Sequence, residues 1–143
     1  MPVVARTRVV PAPPERVWDL VSDPHSLPRW WPDTERVEDA SALAWTKVMK
    51  TPRGRTVRAD FTREQAAEPR TLRWRQEIDE TPFEGILHQA VTEVALEREG
   101  EGTRVRIEQR QKLRGKARFG SFLFRRATGR KLDSALDRLE EVV

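Results

Sequence analysis

Four polar side chains, Gln76, His88, Gln109 and Gln111, fall where strand alternation calls for apolar residues. In Thr71–Asp79, Gln76 shares parity with Leu72, Trp74 and Ile78. In the run ILHQAVTEVAL, His88 lies between Ile86 and Ala90, with Thr92 on the same parity. In Thr103–Leu113, Gln109 and Gln111 follow Val105 and Ile107. A buried polar group costs a few kcal/mol unless it is hydrogen-bonded. A few such groups in an otherwise apolar cavity are how a pocket fixes the orientation of a ligand carbonyl or hydroxyl. The competing reading is that these groups bond one another or a buried water, or that a β-bulge inverts the assumed parity. His88 is also the candidate catalytic residue, as general acid or base, although no acid partner is apparent near it in sequence.

Other chemistries lack their residues. The chain has no cysteine, so disulfides, thiolate nucleophiles and Cys-based metal sites are excluded. No Gly-rich phosphate loop, triad spacing or His–acid metal motif occurs. Glu97, Glu99 and Glu101 read as solvated charges at a strand end and turn. His25 reads as an exposed or capping residue. The expectation is therefore no metal and no cofactor.

These residues must be held by elements that the sequence patterning defines. Val3–Val10 is a β-branched run with Arg6 and Arg8 alternating outward, which predicts a strand. Pro14 and Glu15 suit a first helical turn, and the spacing of Val17, Trp18, Leu20 and Val21 predicts a helix over about 14–22. Asp23-Pro24 starts a second, short helix, which Pro28 and Pro32 keep irregular. Period-two segments follow at 36–40, 44–50, 56–63, 71–79, 83–97 and 103–113, joined by short turns, so the sheet is antiparallel with one wet face. From Phe119 to Val143 the period becomes helical, without proline. That long helix needs a partner surface, and the apolar face of the sheet supplies it. The fold class is α+β: a curved antiparallel sheet of about six to seven strands around a long C-terminal helix, with two short helices after the first strand. A single domain over 1–143 is expected from the length.

At this point the stretch APPERVWDLVSDPHSLPRWWPDTERV resembles the opening of the START-like (SRPBCC) helix-grip superfamily, in its polyketide cyclase/dehydrase and lipid-transport branch. The matching positions are Pro13, Val17, Trp18, Asp23, Pro24, Leu27, Pro28 and Trp30, and LDSALDRLEEVV resembles the family's last helix. The resemblance implies a hydrophobic cavity between sheet and C-terminal helix, holding a lipid-like or aromatic polyketide-like ligand. A pocket for such a ligand has a volume of at least about 300 Å³. It implies binding in most members and cyclisation or dehydration in a minority. The cyclases use pockets of Arg, Tyr, Ser or Asn groups, and this chain has no tyrosine, which weighs against an enzyme. The candidate ligand-binding residues are Trp31, Phe61, Trp74, Gln76, His88, Gln109, Phe124 and Thr128. Of the tryptophan pair, Trp30 is expected to anchor the core and Trp31 to face the cavity or its mouth.

The overall charge of +4 hides an uneven distribution, because residues 109–132 carry nine basic side chains and no acid. The basic segment 110–131 reads first as a wet strand face and an exposed helix side. A second reading is contact with an anionic lipid surface, which would make the chain a regulatory or membrane-surface interaction protein. It lacks the marks of a nucleic-acid site. No apolar run reaches the roughly 18 residues needed to span a bilayer, and the opening MPVVARTRVVPAP lacks a signal peptide's apolar core. A cytoplasmic location follows as the expectation. The expected partner is a small hydrophobic ligand, with membrane contact at most peripheral and a homodimer allowed.

Overall fold

The computed structural model describes residues 3–143. The chain runs β1 (Val3–Val10), α1 (Pro14–Val21), a 3₁₀ turn at Pro24–Ser26, α2 (Leu27–Trp30), β2 (Arg36–Glu38), β3 (Ala44–Lys50), β4 (Thr56–Ala67) and β5 (Thr71–Gln76). A second 3₁₀ turn at Pro82–Gly85 precedes β6 (Leu87–Glu99) and β7 (Gly102–Leu113), and a third at Gly115–Gly120 leads into α3 (Ser121–Val142). The seven strands form one sheet in the order β1-β7-β6-β5-β4-β3-β2. Every pairing is antiparallel. With α3 against the apolar face of the sheet, this is the helix-grip fold.

The topology explains the two short helices. β1 and β2 lie at opposite edges of the sheet, so the 25 residues between them must cross from edge to edge. Pro14 opens α1, and its apolar side buries Val17, Trp18, Leu20 and Val21. The Asp23 side chain accepts a hydrogen bond from the His25 backbone N–H at 3.0 Å, which starts the 3₁₀ turn. His25 itself is exposed. α2 then delivers Leu27, Trp30 and Trp31 to the core.

The core runs along the sheet face beneath α3. Leu132, Ala135, Leu136 and Leu139 of α3 are fully buried, in one apolar cluster with Val105 and Ile107 of β7 and Val94 of β6. The other side of α3 is anchored to β1 by Arg6–Asp133 at 3.4 Å and by Arg8 with Asp137 and Glu140. The β6–β7 turn has Gly102 where a Cβ would stand 2.5 Å from the Val10 carbonyl oxygen, so β1 can close onto it only because that residue is glycine. No helix among the described residues is long and apolar enough to cross a membrane.

Several boundaries depart from the sequence expectation: β2 ends at Glu38 rather than Ala40, β5 ends at Gln76 rather than Asp79, and β6 runs on to Glu99. The strand expected from Phe83 begins at Leu87, because Thr81 caps a 3₁₀ turn with its hydroxyl accepting from the Phe83 N–H. β4 runs on to Ala67 through an irregularity between Arg63 and Gln65. The C-terminal helix starts as a 3₁₀ turn before Ser121.

Candidate functional site

Between α3, α2 and the concave half of the sheet lies a cavity of about 210 Å³ that is partly open to solvent. Three tryptophans and a phenylalanine build its wall, and strand pairing explains why they meet. Trp45 on β3 is directly opposite Phe61 on β4, and their rings stack nearly parallel with centroids 6.0 Å apart. Trp74 on β5 meets Trp45 edge-on at 5.9 Å. Trp31, which follows α2, meets Trp74 edge-on at 6.0 Å. Offset and edge-to-face aromatic contacts of this kind make a rigid wall with few rotatable bonds.

Trp30 lies behind that wall. It is fully buried, packs edge-on against Trp31 at 5.4 Å, and does not line the cavity. The two adjacent tryptophans point to different environments because α2 ends between them: Trp31 has an extended backbone at ψ 125°.

Six of the eight candidate ligand-binding residues line the cavity, namely Trp31, Phe61, Trp74, Gln76, Gln109 and Phe124, and so does Gln111. Gln109 Nε2 donates to Thr92 Oγ1 at 3.0 Å across the β6–β7 pair. Thr128 is buried on α3 beside the cavity, where its hydroxyl donates to Gln111 Oε1 at 3.1 Å. Gln76 Nε2 is buried and has no acceptor among the described residues.

His88 does not share this face. The β6–β7 register shifts between Leu87 and Gln89, so His88 is the extra residue of a bulge. Leu87 takes the inward position and His88 is exposed, with its Nδ1 accepting from the Arg114 guanidinium at 2.6 Å. The inward placement expected from parity is thus corrected by the bulge.

Lining residues of β3 went unremarked in the sequence, among them Trp45 of the wall and Lys47. Lys47 shares the inward parity of β3 with Trp45 and Met49. It is only 8% exposed. Its Nζ stands 5.2 Å from the Phe61 ring centroid and 5.8 Å from that of Trp31. Burial pushes its pKa down to about 7, nearby Lys131 adds to the shift, and Asp33 opposes it. The alternation of Trp45, Lys47 and Met49 was the available signal, since it puts a lysine on the face of a buried tryptophan.

The cavity is smaller than the roughly 300 Å³ expected of a pocket for a drug-sized ligand. For scale, a cavity of about 150 Å³ accepts benzene. A larger open depression of about 780 Å³ lies outside the core, around the start of α1. Arginines and glutamates dominate its rim, including the pairs Arg98–Glu15 and Arg104–Glu97. Its charge and openness make it a solvated surface rather than a ligand chamber.

A sequence model for a family described as polyketide cyclase / dehydrase and lipid transport matches residues 1–143. No curated protein sequence matches significantly. Among solved structures, the chain is similar to TTHA0849 from Thermus thermophilus, with TM-score 0.76 and 26% identity over 98% of this chain and 95% of that one. It is similar in fold to a START superfamily protein from Mycobacterium smegmatis, with TM-score 0.78 and 14% identity over 97% and 94% of the two chains. It also matches about half of the di-domain ARO/CYC BexL from the BE-7585A biosynthetic pathway, covering 97% of this chain and 48% of that one at TM-score 0.77 and 14% identity.

Proposed function

Because this chain belongs to the polyketide cyclase/dehydrase and lipid transport family, we propose that it binds a small hydrophobic ligand in the cavity between its sheet and its C-terminal helix. The observation that carries this reading is the empty volume in front of the Trp31–Trp74–Trp45–Phe61 wall. A core normally packs to crystal-like density, and here the densest aromatic cluster faces open space. The volume of about 210 Å³ favours a compact ligand of one or two rings over a multi-ring polyketide or a long acyl chain. A cytoplasmic setting belongs to this reading.

The enzymatic alternative, a cyclase-like reaction of the kind the ARO/CYC relatives' name denotes, would need an acid or base inside the cavity. His88 faces outward, so the titratable groups lining it among the described residues are Lys47 and, at its edge, Lys131.

A second reading has its own observation. Phe119, Phe122 and Leu123 are 89%, 74% and 68% exposed, and they stand among Lys116, Arg118, Arg125 and Arg126. Exposed apolar groups ringed by cations suit peripheral contact with an anionic membrane. Phe124, next in the chain, lines the cavity, so such contact would bring the pocket mouth to the lipid surface.

The ligand reading is tested by native mass spectrometry of the purified protein beside an Ala90→Trp variant, which fills the cavity. The reading predicts a bound small molecule on the wild type that the folded variant has lost. A molecule retained by the variant would contradict it.

A further inference from the structure

The cavity lining carries nitrogen donors that have no hydrogen-bond acceptor among the described residues. Lys47 Nζ makes no hydrogen bond and no ion pair among the described residues, and the Phe61 and Trp31 rings face it. The charged groups near it from the packed elements are Lys131 of α3 and Asp33 of the segment before β2. Asp33 Oδ2 stands 3.7 Å from Lys131 Nζ, so the nearest acid already faces another cation. Gln76 Nε2 is buried without an acceptor. Thr92 Oγ1 accepts from Gln109, which leaves its hydroxyl hydrogen to donate.

Lys47 and Gln76 are both placed about Phe61. Phe61 is directly opposite Gln76 across the β4–β5 pair, and its ring lies beneath Lys47 Nζ. A purely hydrocarbon ligand would cover both donors without giving either an acceptor, which is costly. A carboxylate accepts only, offers about four lone-pair sites, and makes the stronger, charge-assisted hydrogen bonds with an ammonium.

Building on the ligand-binding reading above, we propose that the cavity is specific for a compact aromatic acid, whose carboxylate pairs with Lys47 Nζ and accepts from Gln76 Nε2 while its rings lie against Trp31, Trp74 and Trp45. The lowered pKa of Lys47 fits this arrangement. An empty pocket disfavours the ammonium, and an arriving anion restores it. Lys131 at the pocket edge adds attraction for an anion.

Calorimetric titration with 2-naphthoate and with 2-naphthamide, which has the same shape and no charge, tests this proposal. At pH 6 the wild type should bind the acid at least about tenfold more tightly than the amide. Lys47→Met should abolish that preference while retaining the amide. At pH 8, titrations in buffers of different ionisation enthalpy should reveal uptake of about one proton with the acid and none with the amide. If Lys47→Met fails to fold, Lys47→Gln serves in its place, and proton uptake needs only the wild type. Equal wild-type affinities for the two probes, or an acid preference that survives loss of the lysine, would overturn the acid proposal and leave the pocket reading intact. Failure of both probes to bind the wild type would overturn both.

Discussion

The ammonium nitrogen of Lys47 stands 5.2 Å from the centroid of the Phe61 ring and has no acceptor within the described fold. A buried lysine held mainly by aromatic faces is stabilised weakly, because cation–π attraction supplies about 2 kcal/mol when desolvated, less than an ammonium's desolvation costs.

That imbalance sets a pH dependence. Lys47 has a folded-state pKa of about 7, against 10.5 for an ordinary lysine. Between those two values the unfolded chain binds a proton that the folded chain does not. Stability should therefore rise with pH from about 7 to about 10 by several kcal/mol, at roughly 1.4 kcal/mol per pH unit. Lys47→Met should be more stable than the wild type at neutral pH and should lose this rise. Urea unfolding at pH 7 and pH 9.5 measures both; parallel pH profiles for the two proteins would contradict the assignment.

The tryptophan pair should separate by substitution. Trp30 is fully enclosed, so Trp30→Ala should cost about 3–5 kcal/mol. Trp31 borders empty space and has fewer packing partners on that side. Trp31→Ala should cost less stability and should weaken binding of 2-naphthamide by at least about tenfold. Unfolding curves together with titrations check this, and the reverse ordering would mean the roles are exchanged.

His88 offers a control outside the cavity. It is exposed and bonded to Arg114, so His88→Ala should change stability by no more than about 0.5 kcal/mol, as surface substitutions usually do. Affinity for either naphthalene probe should be unchanged. A tenfold loss would place the histidine at the ligand after all.

Vesicle sedimentation addresses the exposed apolar trio. The wild type should pellet with phosphatidylglycerol-containing vesicles more than with pure phosphatidylcholine, and less as salt is raised. Phe119→Ser with Phe122→Ser should reduce pelleting. Equal behaviour of the two vesicle types would remove the membrane reading.

Much of the frame was legible in the sequence because it rests on periodicity. The alternation of Leu72 and Trp74 in β5 and of Thr103, Val105 and Ile107 in β7, and the three-to-four spacing of Leu132, Leu136 and Leu139, survive folding. The separate environments of Trp30 and Trp31 were implied by the family resemblance, in which Trp30 matches the usual tryptophan, and α2 ends between the two. Parity failed where the backbone inserted a residue: the bulge at His88 has no side-chain signature, and it turned an apparent pocket histidine outward. Lys47 escaped notice for a different reason. A lysine on a strand is ordinarily solvated, and only the closure of α2 and α3 over the Trp45 face buries this one. The cavity's size was equally out of reach, because it depends on how closely those helices approach the sheet.

A crystal structure of the protein soaked with 2-naphthoate would decide between a filled and an idle chamber. Density is expected in the space lined by Trp31, Trp45, Phe61 and Trp74, with a carboxylate oxygen at hydrogen-bond distance from Lys47 Nζ. Density confined to the outer surface, with that chamber unfilled, would contradict both the pocket and its lysine.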